Sequence, residues 1–158
     1  MRLQAIACAC LLLGWTASAL GATSPLPEDS VYHLNASLTN STGRALAWQD
    51  LRGESRVATM FYTSCRYVCP LLVDSLRSIE RQLSAAERAR IGFVMVTIDP
   101  ERDTPESLAR LMAERRLDAT RWQLLQPRPE DLRALAGILG IRYRSLADGE
   151  FNHTTTLV

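Results

Sequence analysis

Continuous apolar runs alternate with amphipathic segments along this chain. Two of the runs, residues 56–62 and 91–98, predict strands, and the second, which ends at Asp99-Pro100, is apolar enough to be buried on both faces. Between the two runs, apolar residues recur four, three and four positions apart. This spacing predicts an amphipathic helix, whose apolar face is formed by Leu72, Leu76, Ile79 and Leu83.

Turn and cap residues divide the rest of the chain into shorter elements. Thr104-Pro105 combines an N-cap with proline at the first helical position, which predicts a helix from there to about residue 116. Turn-forming residues at 40–43 predict an N-terminal hairpin. The other predicted elements are a strand at 122–125, a helix at 129–139 that ends at Gly140, a strand at 141–144, a turn at Asp148-Gly149 and a last strand at 151–158.

Strands that alternate with helices indicate an α/β fold with a largely parallel sheet covered on both faces. The chain has 158 residues, of which 47% are hydrophobic, and this suits one compact domain with a substantial core. The formal net charge is +1, which argues against a nucleic-acid binder because phosphate recognition needs a clustered basic face.

The N-terminus has the pattern of a secretory signal peptide. An apolar run at residues 5–15 follows Arg2 and leads to the small-residue site Ala17-Ser18-Ala19. The run is shorter than the ~20 residues of a membrane-spanning helix, so we expect cleavage after Ala19 and an exported protein. The predicted organisation is therefore a signal peptide at 1–19, a linker at 20–29 and a domain at 30–158.

Two cysteines carry the candidate chemistry of the mature chain, since Cys8 and Cys10 would leave with the signal peptide. Cys65 and Cys69 lie four positions apart between a predicted strand and helix, where helix N–H groups favour the thiolate. The pair allows a metal or redox site, a structural disulfide in a binding module, or inert thiols. One residue more than C-x-x-C weakens the case for rapid dithiol exchange.

A metal site would need a further ligand, and the candidates are His33 and His153. His33 fits a surface or strand-packing position, whereas His153 follows a turn that can present its ring to a neighbouring site. Two thiolates and one imidazole form a soft donor set that suits Cu(I) better than zinc. Asp99 ends a buried strand, where sites of α/β sheets collect, or it caps the next turn. The run Glu101-Arg102-Asp103 is interpreted as a solvated charge cluster.

Three segments, at 63–70, 96–106 and 152–153, resemble in order and spacing the signatures of the Sco/SenC copper proteins of respiratory-oxidase assembly. The resemblance covers about residues 31–158. It implies a thioredoxin-like three-layer fold with an N-terminal β-hairpin. It also implies two cysteines and one later histidine as copper ligands.

Carried over to this chain, the resemblance implies copper ligation by Cys65, Cys69 and His153, with Asp99 nearby but not a ligand. The expected ion is Cu(I), with Cu(II) as the other oxidation state. The expected function is delivery of copper to the dinuclear copper centre of cytochrome c oxidase in the bacterial periplasm, with that subunit as partner and the membrane reached through it. The alternative is a thiol–disulfide reductase that keeps the subunit's copper-ligand cysteines reduced.

Three features depart from the family pattern. Arg66 stands where proline is usual, and its charge is expected to lower the pKa of Cys65. Asn152 replaces the aspartate that usually precedes the histidine, which removes one anionic neighbour. The sequence ends at Val158, where the fold would add a strand and a covering helix, so we expect an exposed last strand and a partly bare sheet face.

Overall fold

The computed structural model describes residues 25–158. The predicted signal peptide, with Cys8 and Cys10, and the first part of the linker lie outside the described residues. Among the helices of residues 25–158, none combines the length and apolar character needed to cross a bilayer.

The α/β prediction is confirmed by seven strands and four α-helices within residues 25–158. The strands are β1 (Ser37–Asn40), β2 (Ala45–Ala47), β3 (Ser55–Phe61), β4 (Ile91–Thr97), β5 (Trp122–Pro127), β6 (Tyr143–Ser145) and β7 (Phe151–His153). The helices are α1 (Val68–Gln82), α2 (Ala85–Arg88), α3 (Pro105–Glu114) and α4 (Leu132–Ile138), with short 3-10 turns at Val31–His33 and Trp48–Leu51.

The central sheet has five strands in the order β2-β1-β5-β4-β3. Strands β3, β4 and β5 are parallel, whereas β1 runs antiparallel to both β5 and β2. The predicted N-terminal hairpin is therefore confirmed as β1–β2. Every residue of 92–97 in β4 is buried, and because successive side chains point to opposite faces, both faces of the sheet are covered there.

Helices α1 and α3 lie side by side on one face of the sheet. Each connects neighbouring parallel strands, and both connections step across the sheet in the same direction, so right-handed crossovers bring the helices to one face. Arg115, at the end of α3, lies 4.0 Å from the carboxylate of Asp74 in α1. The carboxyl ends of β3 and β4 and the starts of both helices consequently meet at one edge of the sheet.

The predicted last strand, 151–158, is divided into two parts, so its predicted extent is wrong. Residues 151–153 form β7, which pairs with β6 in a separate two-stranded sheet, the β6–β7 hairpin. The division occurs because β6 begins at Tyr143, and β7 has no strand partner beyond His153. Val158 then exchanges two backbone hydrogen bonds with Ala58 of β3, at 2.7 and 2.9 Å. The last residues therefore lie along the β3 edge.

Candidate metal centre

Cys65 lies in the loop between β3 and α1, directly before the helix begins. Its Sγ accepts a hydrogen bond from the backbone N–H of Cys69, at 3.3 Å. The first N–H groups of a helix have no partner within the helix, and here the sulfur supplies one. Pro70 fits the first turn because proline lacks an N–H that would need such a partner. Because the cysteines are four residues apart, the sulfur of Cys65 lies at the N-terminus of the helix that carries Cys69.

The thiol of Cys65 has a pKa below its ordinary value. Partial burial alone would raise this pKa, but hydrogen bonds to the sulfur outweigh that effect. They come chiefly from the backbone N–H and thiol of Cys69 and from the backbone of Tyr67. Cys65 therefore favours the thiolate, which is the nucleophilic and metal-binding form.

Cys69 behaves in the opposite way. Its side chain is only 5% exposed, and burial, followed by the neighbouring Cys65 and the charge of Asp103, raises the pKa of its thiol to about 12. Both cysteines are free thiols. In the metal-free pair Cys65 thus gives up its proton more readily than Cys69, and a metal bound by both sulfurs would displace the proton of Cys69.

His153 ends β7, with its ring packed edge-on against Tyr62 at a centroid distance of 5.8 Å and an interplanar angle of 78°. Its Nδ1 lies 3.1 Å from the carbonyl oxygen of Thr154. A carbonyl only accepts, so Nδ1 carries the proton and Nε2 of the neutral ring keeps the lone pair for a ligand. Proteins usually orient a metal-binding histidine by a hydrogen bond from the ring nitrogen that does not bind the metal.

Cys65 and His153 line the same open cavity of about 540 Å³, whose wall also includes Tyr62, Tyr67 and Phe151. A smaller cavity of about 120 Å³ is lined by both Cys65 and Cys69, and His153 is not among its lining residues. In residues 25–158 no group of three or more His, Cys, Asp or Glu side chains lies close enough to hold a metal ion. The structure brings the two cysteines together and places His153 across the cavity from Cys65, without closing the three into one cage.

Neither Asp99 nor His33 is among the residues that line this cavity. Asp99 is buried just after β4 and forms an ion pair with Arg102. His33 is exposed in a 3-10 turn, and its Nε2 contacts the carbonyl of Pro27 at 2.8 Å.

The carboxylate that supports the cysteine loop is Asp103, which the sequence interpretation placed in a solvated charge cluster. That interpretation is wrong for Asp103, whose residue is 1% exposed. It accepts the backbone N–H of Thr63 at 2.9 Å and the hydroxyls of Thr63 and Thr97. A buried carboxylate is stable where hydrogen bonds replace its water, and three do so here. In the sequence, the indication that a buried polar partner was needed here was Thr97, a polar residue near the end of an otherwise apolar run.

Tyr62 is a second residue that sequence reasoning missed. Its hydroxyl donates to Glu150 Oε2 at 2.7 Å, and its ring contacts both Phe151 and His153. Burial, followed by this bond to a carboxylate, raises the pKa of Tyr62 above its ordinary value, so it remains a neutral donor. Tyr62 thus connects the cysteine loop to the β6–β7 hairpin. Nothing in the apolar run 56–62 distinguished it from a core residue.

Comparison with known proteins extends these observations. The SCO1 protein homolog of Bacillus subtilis is 27% identical over 86 residues, which cover 54% of this chain and 44% of that protein. A putative copper-binding protein of Stutzerimonas stutzeri is 30% identical over 71 residues, which cover 45% of this chain and 35% of that protein. This chain therefore matches less than half the length of either relative.

The crystal structure of Arabidopsis thaliana ScoI with copper bound aligns with a TM-score of 0.69 at 20% identity, covering 78% of this chain and 77% of that one. This likeness confirms the predicted thioredoxin-like fold. The sequence model of the family described as SCO1/SenC matches residues 28–158. That match spans most of the chain, including both cysteines, Asp99 and His153, and the protein therefore belongs to the SCO1/SenC family.

Proposed function

We propose that this protein is a copper metallochaperone that carries one Cu(I) ion through Cys65, Cys69 and His153. The observation that carries the proposal is the shared cavity, which is lined by both Cys65 and His153. Two thiolates and one imidazole form the soft set of donors that Cu(I) prefers. Further support comes from relatives that are named as copper-binding or were solved with copper bound.

The two cysteines would act in order. Cys65, which is partly exposed and favours the thiolate, meets an incoming ion first, whereas Cys69 loses its proton as its sulfur binds. His153 then offers Nε2 from the hairpin side, which requires the hairpin or the ring to move towards the sulfurs. No covalent bond of a substrate is made or broken in these steps, because the ion is transferred to its recipient by exchange of ligands.

The proposed recipient is the copper-centre subunit of cytochrome c oxidase, whose dinuclear centre would take the ion. Membership of the SCO1/SenC family supports this recipient. We further propose that the protein is exported and works in the periplasm, since residues 1–19 have the pattern of a cleavable signal peptide. Contact with the membrane would come through the partner.

Anaerobic titration of the reduced protein with Cu(I), in competition with a chromophoric chelator, tests the proposal. We expect one ion per chain and a loss of affinity of at least about tenfold in His153→Ala. Cys65→Ser and Cys69→Ser should each remove tight binding. His33→Ala is the matched control, because His33 is exposed and bonded to Pro27, and it should bind as the wild type does. Absence of binding in a folded sample, or unchanged affinity in His153→Ala, would overturn the assignment.

A thiol–disulfide reductase is the second candidate, favoured by the opposite pKa shifts of the two thiols. The Cys65 thiolate would attack a disulfide of the partner, forming a mixed disulfide and releasing one thiolate of the partner. Cys69 would then displace the second, leaving a Cys65–Cys69 disulfide and a partner reduced by two electrons. Metal-free thiol exchange that continues at the wild-type rate in His153→Ala would support this function.

A further inference from the structure

The β6–β7 hairpin carries His153, yet it is not a part of the central sheet. Within residues 25–158 its strands pair only with each other, and the five-stranded sheet ends at β3 on the side of the cysteine loop. Backbone hydrogen bonds tie Val158 to Ala58 of β3 five residues beyond His153, but in the described part of the chain the hairpin itself is joined to the sheet through side chains. The contacts that join the hairpin to the ends of β3 and β4 come from two residues, Tyr62 and Arg102.

Arg102 makes three contacts at once. Its Nε forms an ion pair with the carboxylate of Asp99, and its Nη2 donates to the carbonyl of Gly149 at 2.5 Å. The guanidinium also lies 5.7 Å from the ring centroid of Phe151, a cation–π distance. Gly149 is in the turn of the hairpin and Phe151 is two residues before His153, so one side chain holds both the tip of the hairpin and the strand of the histidine.

Asp99, the partner of Arg102 in the ion pair, is fixed to the sheet. Asp99 is 6% exposed, and its backbone N–H donates to Thr97 Oγ1 at 3.0 Å, at the end of β4. Thr97 in turn donates to Asp103, which holds the loop that leads to Cys65. The chain of contacts from the cysteine loop to the hairpin thus passes through buried groups until it reaches Arg102. A planar guanidinium suits this position because it presents several donors in a fixed geometry, which an ammonium does not.

We propose that Asp99 and Arg102 form a clamp that positions His153 opposite Cys65 by fixing the β6–β7 hairpin to the end of β4. Arg102 is a positioning residue and does not ligate the ion. The part of this inference that concerns copper rests on the proposed function. The part that concerns the position of His153 does not, and it can be tested without metal.

Proton NMR of the imidazoles tests the metal-free part. The chain has two histidines, so the spectrum of the wild type contains two Hε1 signals, one for each ring, and His153→Gln identifies that of His153. In Arg102→Ala we expect the signal of His153 to shift and lose its nuclear Overhauser contacts with Tyr62, while the signal of His33 is unchanged. Arg110→Ala, an exposed arginine of α3, is the control and should alter neither signal. Arg102→Lys keeps the charge beside Asp99 but cannot hold both partners, so it should reproduce the shift even if Arg102→Ala folds poorly.

Copper binding then tests whether the clamp acts through the histidine. We expect Arg102→Ala and Arg102→Lys to weaken Cu(I) binding by about 10- to 100-fold, the usual effect of losing a group that orients a metal ligand. In the variant that lacks both Arg102 and His153, the loss should equal that of His153→Ala alone, since a residue that acts through another adds nothing once the other is absent. Additive losses would overturn the clamp.

The outcomes separate this inference from the proposed function. If the wild type binds no copper but the NMR signal of His153 moves in Arg102→Ala, the metallochaperone proposal fails and the clamp remains. If the wild type binds copper and the His153 signal and Cu(I) affinity are unchanged in both Arg102 variants, the clamp fails and the metallochaperone proposal remains.

Discussion

At the scale of single residues, the site depends on the difference between its two sulfurs. Cys65 lies at the surface on a helix N-terminus, whereas Cys69 lies behind it in the core. Residue type pointed to both cysteines, and the family resemblance added His153 as the candidate third ligand. Residue type was not enough to distinguish the two thiols, because that difference comes from burial and from hydrogen-bond donors that the fold supplies.

The two thiols should consequently react at different pH values. With iodoacetamide we expect Cys65 to be alkylated at neutral pH, since its lowered pKa makes the thiolate available there, and Cys69 to remain unmodified until the pH approaches about 12 or the protein unfolds. Peptide mapping by mass spectrometry over a pH series gives both rates. Equal rates at pH 7, or faster modification of Cys69, would contradict the assigned environments. Denatured protein is the control, because both thiols should then react alike.

The carboxylates show where reasoning from residue type stops. Asp99, Glu101 and Asp103 lie close together in the sequence, and the last two are both interpreted from it as members of a solvated charge cluster. In the structure Asp99 and Asp103 are buried with different partners, and Glu101 is exposed. Asp99 pairs with Arg102, whereas Asp103 is bonded to Thr63 in the loop after β3 and to Thr97 at the end of β4. The bond between Asp103 and Thr63 joins distant parts of the chain, so it follows only from the tertiary fold.

At the scale of elements, cap and turn residues predicted the starts of helices and the positions of turns better than the lengths of strands. Thr104 caps α3 and accepts the N–H of Ser107, as the Thr-Pro pattern indicated. Gly140 and Gly149 have φ of +64° and +83°, as expected for a helix stop and a turn. The end of β7 could not be predicted, because a strand extends only as far as its partner, and the partner is another segment of the chain.

The turn of the β6–β7 hairpin provides a test at this scale. A Cβ at Gly149 would combine the strain of a left-handed backbone with an approach of 3.3 Å to Arg102 Nη1. Gly43, at φ +79° in the β1–β2 turn, has the same backbone strain with nothing within 4 Å. We expect Gly149→Ala and Gly43→Ala each to lower the free energy of unfolding by about 1–2 kcal/mol. Only Gly149→Ala should also shift the NMR signal of His153.

Chemical denaturation and the histidine spectrum measure the two effects separately. A shift of the His153 signal in Gly43→Ala would show that the signal reports general destabilisation. An unaltered signal in Gly149→Ala would show that the turn does not control the position of the histidine.

At the scale of the whole molecule, the fold was predictable because its signals are long and repeated. The buried strand 91–97, the alternation of strands with helices and the family signatures all indicate the same α/β architecture. The strand order could not be predicted in the same way. In the sheet β5 lies between β4 and β1, and the residues of two strands that are distant in the sequence do not indicate that the strands pair. The candidate site lies at the carboxyl edge of β3 and β4, where parallel sheets usually place sites.

The opposite edge of the sheet should affect stability alone. There Trp122 of β5 stacks on Phe93 at a centroid distance of 4.6 Å, and its indole N–H donates to Glu80 of α1 at 3.2 Å. Trp122→Phe keeps a stacked ring but removes this bond and some volume, so we expect a loss of about 1–3 kcal/mol of unfolding free energy. Cu(I) affinity should equal that of the wild type. Reduced affinity in a folded sample would show that the two edges are coupled.

The separate pairing of the β6–β7 hairpin has an energetic consequence for loading and unloading. Detaching the hairpin breaks no strand pairing of the central sheet, because its own strands stay paired and the contacts that are lost are those of Tyr62 and Arg102. Movements of this kind are typically completed within microseconds to milliseconds. Under the proposed function, the hairpin would thus act as a hinged arm whose resting angle depends on a few side chains, and substitutions of those side chains would change the balance between holding and releasing copper without altering the core.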